Sequence, residues 1–369
     1  MFSEEHLYSI ALRRSPLIGD VNFRKLVRAA GSAKEVWELS KKGLKHITGI
    51  GKKIAEQIGD DENLTFAEKE LIFCEKNNIR IRLRHLNELP YLLDECEDAP
   101  AILYEKGNFD ETLKPLSIVG TRNLSVYGKD FIGNLLEALK SFKILTVSGL
   151  AIGADAEVHE KSLQNNIQTV AVLAHGFHTL YPFRNKKLSE RILENNGALL
   201  SEFNSSQKPD RENFIQRNRI IAGLSAATVV VETAFGGGSV STATFANSYN
   251  REVFALPGKI TDKYSQGCNQ LIVLNKASAI STVEDLIENL GYSTIAETTG
   301  SLFPKSEIKL QLPENQRLIL EYIREKPYTS LDDLSENINL SSHKILPVLL
   351  ELELLGLIKS LSGRQYLAK

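Results

Sequence analysis

Apolar residues change their period along the chain, and the changes divide it into parts. From the N-terminus to about residue 65 they recur at helical spacing. Leu7, Ile10, Ala11 and Leu12 form one stripe, and Phe23, Leu26, Val27 and Ala30 form another. This predicts a module of short helices over residues 1–65. Over residues 79–104 the period drops to two. Ile79, Ile81 and Leu83 alternate with Arg80, Arg82 and Arg84, and a second short run, 101–104, is closed by Gly107. Two strands are expected there, with the arginines on a solvated face. From Leu116 short apolar runs alternate with longer helical patterns. The runs cover 116–119, 144–148, 169–173, 198–201, 227–231 and 252–256, with helices such as 128–140 and 154–165 between them.

Strands that are apolar throughout, alternating with helices, predict a parallel sheet covered on both faces. Its crossovers should be right-handed. The expectation is an α/β chain whose main part, residues 79–291, is an extended Rossmann-like domain. Residues 292–313 are rich in Ser and Thr, carry Pro304 and Pro313, and read as a linker. In residues 314–369, Leu318, Ile319, Tyr322 and Ile323 make one helical stripe, and a helix over 331–338 follows Ser330 as N-cap. A third helix starts at Ser341 or Ser342, turns Ile345, Val348, Leu349, Leu352 and Leu355 inward, and stops at Gly356. A hairpin from Leu357 to Leu367 completes a winged helix-turn-helix pattern. Its third helix has only His343 and Lys344 as basic residues near its start.

Composition narrows the chemistry. The net charge of −2 over 369 residues excludes a global basic field, so any nucleic-acid site must be a local patch. Cys74, Cys96 and Cys268 are odd in number and lack C-x-x-C spacing. Reduced thiols in a cytoplasmic protein are expected, with no metal knuckle. No apolar run has the length of a membrane span, and the N-terminus lacks a signal-type run.

Candidate chemistry gathers at three strand-to-helix turns. Gly120-Thr121-Arg122 follows the 116–119 run, Ser148-Gly149 opens the turn that leads to Asp155, and Gly236-Gly237-Gly238-Ser239 follows the 227–231 run. Glycine lets a ligand approach the backbone closely. The free N–H groups and positive end of a following helix attract an anion. A phosphate-binding crevice at the carboxyl ends of the strands is therefore expected. None of the turns is G-x-G-x-x-G or G-x-x-x-x-G-K-[ST], so no nucleotide cofactor is expected.

The stretch Arg211-Glu-Asn213-Phe214-Ile-Gln-Arg217-Asn218-Arg219 sets three arginines around one aromatic. Arginine forks phosphate oxygens, and an aromatic face accepts an unpaired base, which together suit a single-strand groove. In the alternative, Arg217 and Arg219 pair with sheet-end carboxylates such as Glu202 or Glu232. Asp155 and His159 lie one helical turn apart, and a structural hydrogen bond between them is expected. Tyr181 to Asn185 is expected to wall the crevice.

Hydrolytic chemistry is poorly supported: there is no G-x-S-x-G elbow, and no cysteine has a catalytic setting. The turn at Gly236–Ser239 resembles that of nucleoside-monophosphate phosphoribohydrolases, P-G-G-x-G-T-x-x-E. Here Val240 to Asn247 supplies no acid before Glu252, which counts against that alternative.

Two resemblances extend these readings. Leu44 to Ile58, with Thr48-Gly49-Ile50-Gly51-Lys52-Lys53, resembles a helix-hairpin-helix within a SAM-like helical module. That resemblance implies a backbone contact to a DNA phosphate, and plain helical packing is the alternative.

The second resemblance is to the DprA/Smf family of DNA-processing proteins. It rests on Gly120-Thr121-Arg122 with Tyr127-Gly128, and on Ser148-Gly149-Leu150-Ala151-x-Gly153-x-Asp155-x-x-x-His159. It continues through Ser201-Glu202, Phe214-x-x-Arg217-Asn218-Arg219, Val230-Val231-Glu232, Arg251 to Gly258, and Gly267-Cys268-Asn269. It implies non-catalytic binding of single-stranded DNA, a homodimer, and loading of the recombinase RecA during natural transformation and homologous recombination. The residues implied for DNA are Gly120, Thr121, Arg122, Ser148, Gly149, Arg211, Phe214, Arg217, Asn218, Arg219, Gly237, Gly238 and Ser239. Two departures stand out: Thr244 replaces an expected arginine, and Gly153-Ala154-Asp155 replaces Gly-Ile-Asp.

Overall fold

The computed structural model describes residues 2–39, 41–291, 313–326, 329–338, 340–354, 357–361 and 365–368. It divides into two compact units, Met1–Ser293 and Thr294–Lys369. The expected linker, apart from Pro313, lies outside the described residues, as do Leu355, Gly356 and Arg364.

The first unit begins with the helices Glu4–Arg14, Asp20–Ala30, Ala33–Glu38, Lys41–Lys45, Lys52–Ala55 and Asp61–Lys76. Their apolar stripes meet in one core that includes Leu12, Phe23, Leu26, Leu44 and Ile58. Ile50, between Gly49 and Gly51, is 3% exposed and anchors that turn in the same core. The expected boundary at residue 65 falls inside the helix Asp61–Lys76. Glu70 of that helix accepts from the backbone N–H and the hydroxyl of Ser205, both at 2.6 Å, which ties the helices to the sheet.

The sheet has nine strands: β1 (Ile79–Leu83), β2 (Ile102–Gly107), β3 (Lys114–Val119), β4 (Ile144–Ser148), β5 (Gln168–Val172), β6 (Ala198–Ser201), β7 (Ala227–Val230), β8 (Glu252–Ala255) and β9 (Ser278–Ala279). Their order is β1-β2-β6-β5-β4-β3-β7-β8-β9. From β6 to β9 all pairings are parallel, and β1 and β2 add an antiparallel edge. Chain order runs outward from β3 through β4, β5 and β6. It then restarts at β7 on the other side of β3 and runs through β8 to β9. Adjacent β3 and β7 thus lead in opposite directions, which opens a crevice at their carboxyl ends.

Each face of the sheet carries its own helices. Val126–Leu139 turns Ile132, Leu135 and Leu136 onto Leu116, Ile118 and Val229. On the other face Arg211–Gly223 and Gly238–Ser248 press Ile220, Ile221, Ala243 and Ala246 onto Val119, Leu145 and Val230. Among the described residues no helix is long and apolar enough to cross a membrane.

One expectation fails at the edge. Of the β1 arginines only Arg80 is exposed within the strand. Arg82 is 3% exposed, with its guanidinium on Glu105 and, at 2.6 Å, on Glu111. The helical module covers one face of β1 and the 84–111 segment covers the other, so alternation with solvent never arises there. The buried cation is tolerated because carboxylates meet it.

The second unit holds the helices Glu314–Glu325, Leu331–Ile338 and Ser342–Leu354, and the strands Thr329–Ser330, Ile358–Leu361 and Gln365–Ala368. Ser330 caps its helix by accepting from Asp333 N at 3.1 Å. Ile319, Ile323, Leu334, Ile345, Leu349 and Leu352 form its core. Gln365–Ala368 lies between the other two strands, so the expected hairpin is part of a three-stranded sheet.

Candidate nucleic-acid interface

The switch-point crevice has two adjoining chambers. The inner one, about 330 Å³, is lined by Thr121, Arg122, Asp155, Arg217, Asn218 and the turn Gly237–Ser239, among others. The outer one adds Tyr181, Arg211 and Ile215. Phe214 belongs to both.

Phe214 is the centre of the arrangement. It sits near the start of Arg211–Gly223, a helix capped by Asp210, which accepts from Glu212 N at 2.9 Å. The ring is half-buried and belongs to none of the apolar cores. The Arg122 and Arg217 guanidiniums lie over it at 5.3 and 5.7 Å from its centroid, and Tyr181 meets it edge-on at 5.9 Å. These are ordinary cation–π and aromatic separations.

The two arginines differ in what holds them. Arg217 is buried and donates to the carbonyl oxygens of Gly149, at 2.7 Å, and Val172. Burial lowers its pKa to about 10, with Asp155 pulling it back up and Arg122 adding to the fall. It therefore remains a cation at neutral pH, fixed in the crevice floor. Arg122 is exposed, and no hydrogen bond or ion pair to a described residue engages it. Exposed Arg211 is equally unengaged. Asp155, under the floor, has its pKa raised by burial, against the pull of Arg217 and of its hydrogen bond from Ala151 N.

Glycines make this packing possible. A Cβ on Gly149 would stand 2.6 Å from Arg217 Nη1 and Nη2 and from Asp155 Oδ2. Gly153 has φ +84°, and a Cβ there would stand 2.4 Å from Thr121 O.

Of the three expected anion sites, only one is open. The helix after Arg122 is capped by Ser125, and Glu232 accepts from Ser125 N at 2.9 Å. The helix Ala154–Gln164 has Thr121 O bonded to Ala154 N at 3.0 Å and carries Asp155 in its first turn. The helix Gly238–Ser248 begins at Gly237 with no side-chain cap, and Gly237, Gly238 and Ser239 line the inner chamber.

Several expected contact residues serve the frame instead. The Ser148 hydroxyl is buried and donates to Ile118 O at 2.7 Å. Ser239 donates to Gly120 O at 2.8 Å, joining the first and third turns. Asn218 keeps one edge in the crevice while its amide donates to Gly238 O and Ser241 Oγ, at 3.2 and 2.8 Å. Arg219 is turned away from the crevice. Its guanidinium donates to Asp98 O and Glu202, and meets Asp20 at 3.4 Å. Pairing with a sheet-end carboxylate thus holds for Arg219 and Glu202, whereas Glu232 serves Ser125 instead. The expected Asp155–His159 bond is also absent. His159 Nδ1 bonds Thr169 Oγ1 at 2.7 Å, and burial lowers its pKa to about 3, so it is neutral.

Sequence reasoning missed a wall residue of the inner chamber. Tyr264 lines it, with its hydroxyl bonded to Asn123 Nδ2 at 2.7 Å. No local pattern links two residues so far apart in the chain.

Glu202 supplies a pH test. Burial pushes its carboxyl up to about 7 from an ordinary 4.5, and Arg219 pulls the other way. A carboxyl raised on folding contributes stability in full below the unfolded value and loses it as pH rises through the folded one. Stability is therefore expected to fall between about pH 5 and pH 8. Urea midpoints should show this slope in the native chain and a flatter one in Glu202→Gln.

An open, mostly parallel sheet with a switch-point crevice lined by exposed Arg122 and Arg211, by Phe214, Tyr181 and Tyr264, and by an uncapped helix start defines a Rossmann-like protein. The chain belongs to the DNA recombination-mediator protein A (DprA/Smf) family: that family's model matches residues 80–291, and a DprA winged helix domain matches residues 304–364. It is 31% identical to Protein Smf of Synechocystis sp. over 99% of both chains. It is 39% identical to the DNA processing protein DprA of Bacillus subtilis, over 55% of this chain and 68% of that one. The structure of DprA from Streptococcus pneumoniae aligns with a TM-score of 0.64 at 29% identity, covering 78% of this chain and 98% of that one. DprA from Helicobacter pylori aligns with a TM-score of 0.50 at 28% identity, covering 55% and 92%, and its structure is described for its single-stranded DNA binding mode.

Proposed function

We propose that this protein binds single-stranded DNA in the switch-point crevice, without turnover, and presents it to RecA during uptake or recombination of DNA. The observation that carries the reading is the half-buried Phe214, held outside any core between a fixed and a free arginine. A strand needs both a π-face for a base and cations for its phosphates. Gly237 and Gly238 offer the uncapped helix start as a further phosphate seat. Membership of the DprA/Smf family and the strand-binding H. pylori neighbour support the same substrate. A homodimer acting on RecA belongs to this proposal through the family resemblance. The exposed side chain at the departure from the family pattern, Thr244, donates to Val240 O and brings no cation.

The buried groups support stoichiometric action. Asp155 is held beside Arg217, and His159 is neutral and bonded to Thr169. Incubation with AMP, CMP or GMP should release no base. Base release that disappears in Asp155→Asn would favour the phosphoribohydrolase alternative.

Arg122→Ala should weaken oligo-dT binding for all sequences alike and lower the slope of log K against log salt by about 0.7, one phosphate contact. Equilibrium titrations from low to moderate salt check this, and an unchanged slope in a folded variant removes Arg122 from the interface.

A further inference from the structure

We propose that Phe235 is a second base-stacking residue, which holds a nucleotide leaving the crevice across the third glycine turn. The inference rests on the strand-binding reading above and extends the site beyond Phe214. Ala234 lines the inner chamber and Gly236 lines the outer one, so Phe235 stands between two crevice-wall residues. Phe235 is 69% exposed and belongs to no apolar core of the described residues. An aromatic left mostly in water contributes little to folding.

The backbone that carries it is nevertheless held firmly. Thr233 N donates to Tyr264 O at 2.7 Å, Gly267 N to Thr233 O at 2.9 Å, and Gly237 N to Ala234 O at 2.9 Å. The turn is therefore fixed on both sides of an unpacked ring. It runs directly into Gly237 and the open helix start, where a phosphate would sit. A phosphate at the helix start and a ring two residues earlier match the phosphate-then-base repeat of an unpaired strand. The other exposed apolar groups of the outer chamber, Tyr181 and Ile215, lie on different elements of its wall. Residues 234–239 carry no basic side chain, and stacking of a ring on a base depends little on salt.

The test uses the full chain and oligo-dT. Phe235→Ala should raise Kd about five- to a hundredfold at every salt concentration, with an unchanged salt slope. An oligonucleotide with abasic sites should bind the native chain and Phe235→Ala with much smaller difference. Phe235→Trp should keep the native Kd, and its added emission over the single native Trp37 should be quenched by oligo-dT and not by the abasic strand. If Phe235→Ala binds like the native chain while Phe214→Ala and Arg122→Ala are weakened, this inference fails and the strand-binding reading stands. If none of the three variants changes Kd, the crevice reading fails with it.

Discussion

Phe214→Ala is expected to lose about 1–3 kcal/mol of single-strand affinity while remaining folded. Two features separate it from a core mutation. The ring is only half-buried, and its neighbours are charged or edge-on aromatic groups: Arg122, Arg217 and Tyr181. Truncating a packed core phenylalanine costs about 3–5 kcal/mol of stability through the cavity it leaves, and no such cost is expected here. Arg122 makes no hydrogen bond or ion pair to a described residue and lies over the ring. It is free to follow a phosphate and expose the face on which a base would stack. The loss should therefore be nearly independent of salt, in contrast to the Arg122→Ala loss. Titration of both variants with oligo-dT at several salt concentrations separates the two terms. Unfolding of Phe214→Ala, with native affinity in the folded fraction, would make it a structural residue.

Arg219→Met should cost about 3–5 kcal/mol of stability at pH 8, because it leaves a buried carboxylate without its cation. Arg219 and Glu202 side chains are 6% and 2% exposed, and the same guanidinium also reaches Asp98 O and Asp20. Asp20 belongs to the N-terminal helices and Glu202 follows β6, so the cation joins the helical module to the sheet. A domain of ordinary stability, about 5–15 kcal/mol, would lose a large share of it. The loss should shrink towards pH 5, where Glu202, already raised to about 7 by burial, takes up a proton. Urea unfolding at both pH values measures this. Oligo-dT affinity per folded molecule should remain native, because Arg219 does not face the crevice. Loss of affinity with native stability would return it to the binding site.

The parts of this fold that were legible in the sequence are those set by local spacing. Runs such as Ile144–Ser148 and Ala198–Ser201 lie where the apolar pattern put them, because a strand buried on both faces needs continuous apolar residues. The three glycine turns and the Arg211–Phe214–Arg217 run were equally visible, since a sharp turn and an arginine–aromatic pair are properties of residue type. Helical spacing of Ile319, Ile323, Ile345 and Leu349 likewise announced the C-terminal unit. What one arginine does, compared with its neighbour two residues away, was not visible. Arg217 and Arg219 share a helix turn and a composition, yet one underlies the crevice and the other binds Glu202. The difference depends on Glu202, Asp20 and Gly149, which approach from distant parts of the chain. The same holds for Arg82, which alternation placed in solvent and Glu105 and Glu111 hold inside. It holds too for the helix starts, two of which are already satisfied by Ser125 and Thr121 O. Period and residue type decide where the chain turns and which face is apolar. Only tertiary contact decides which charges are neutralised within the protein and which remain for a ligand, because a charge within hydrogen-bond reach of a buried partner is set by folded distance.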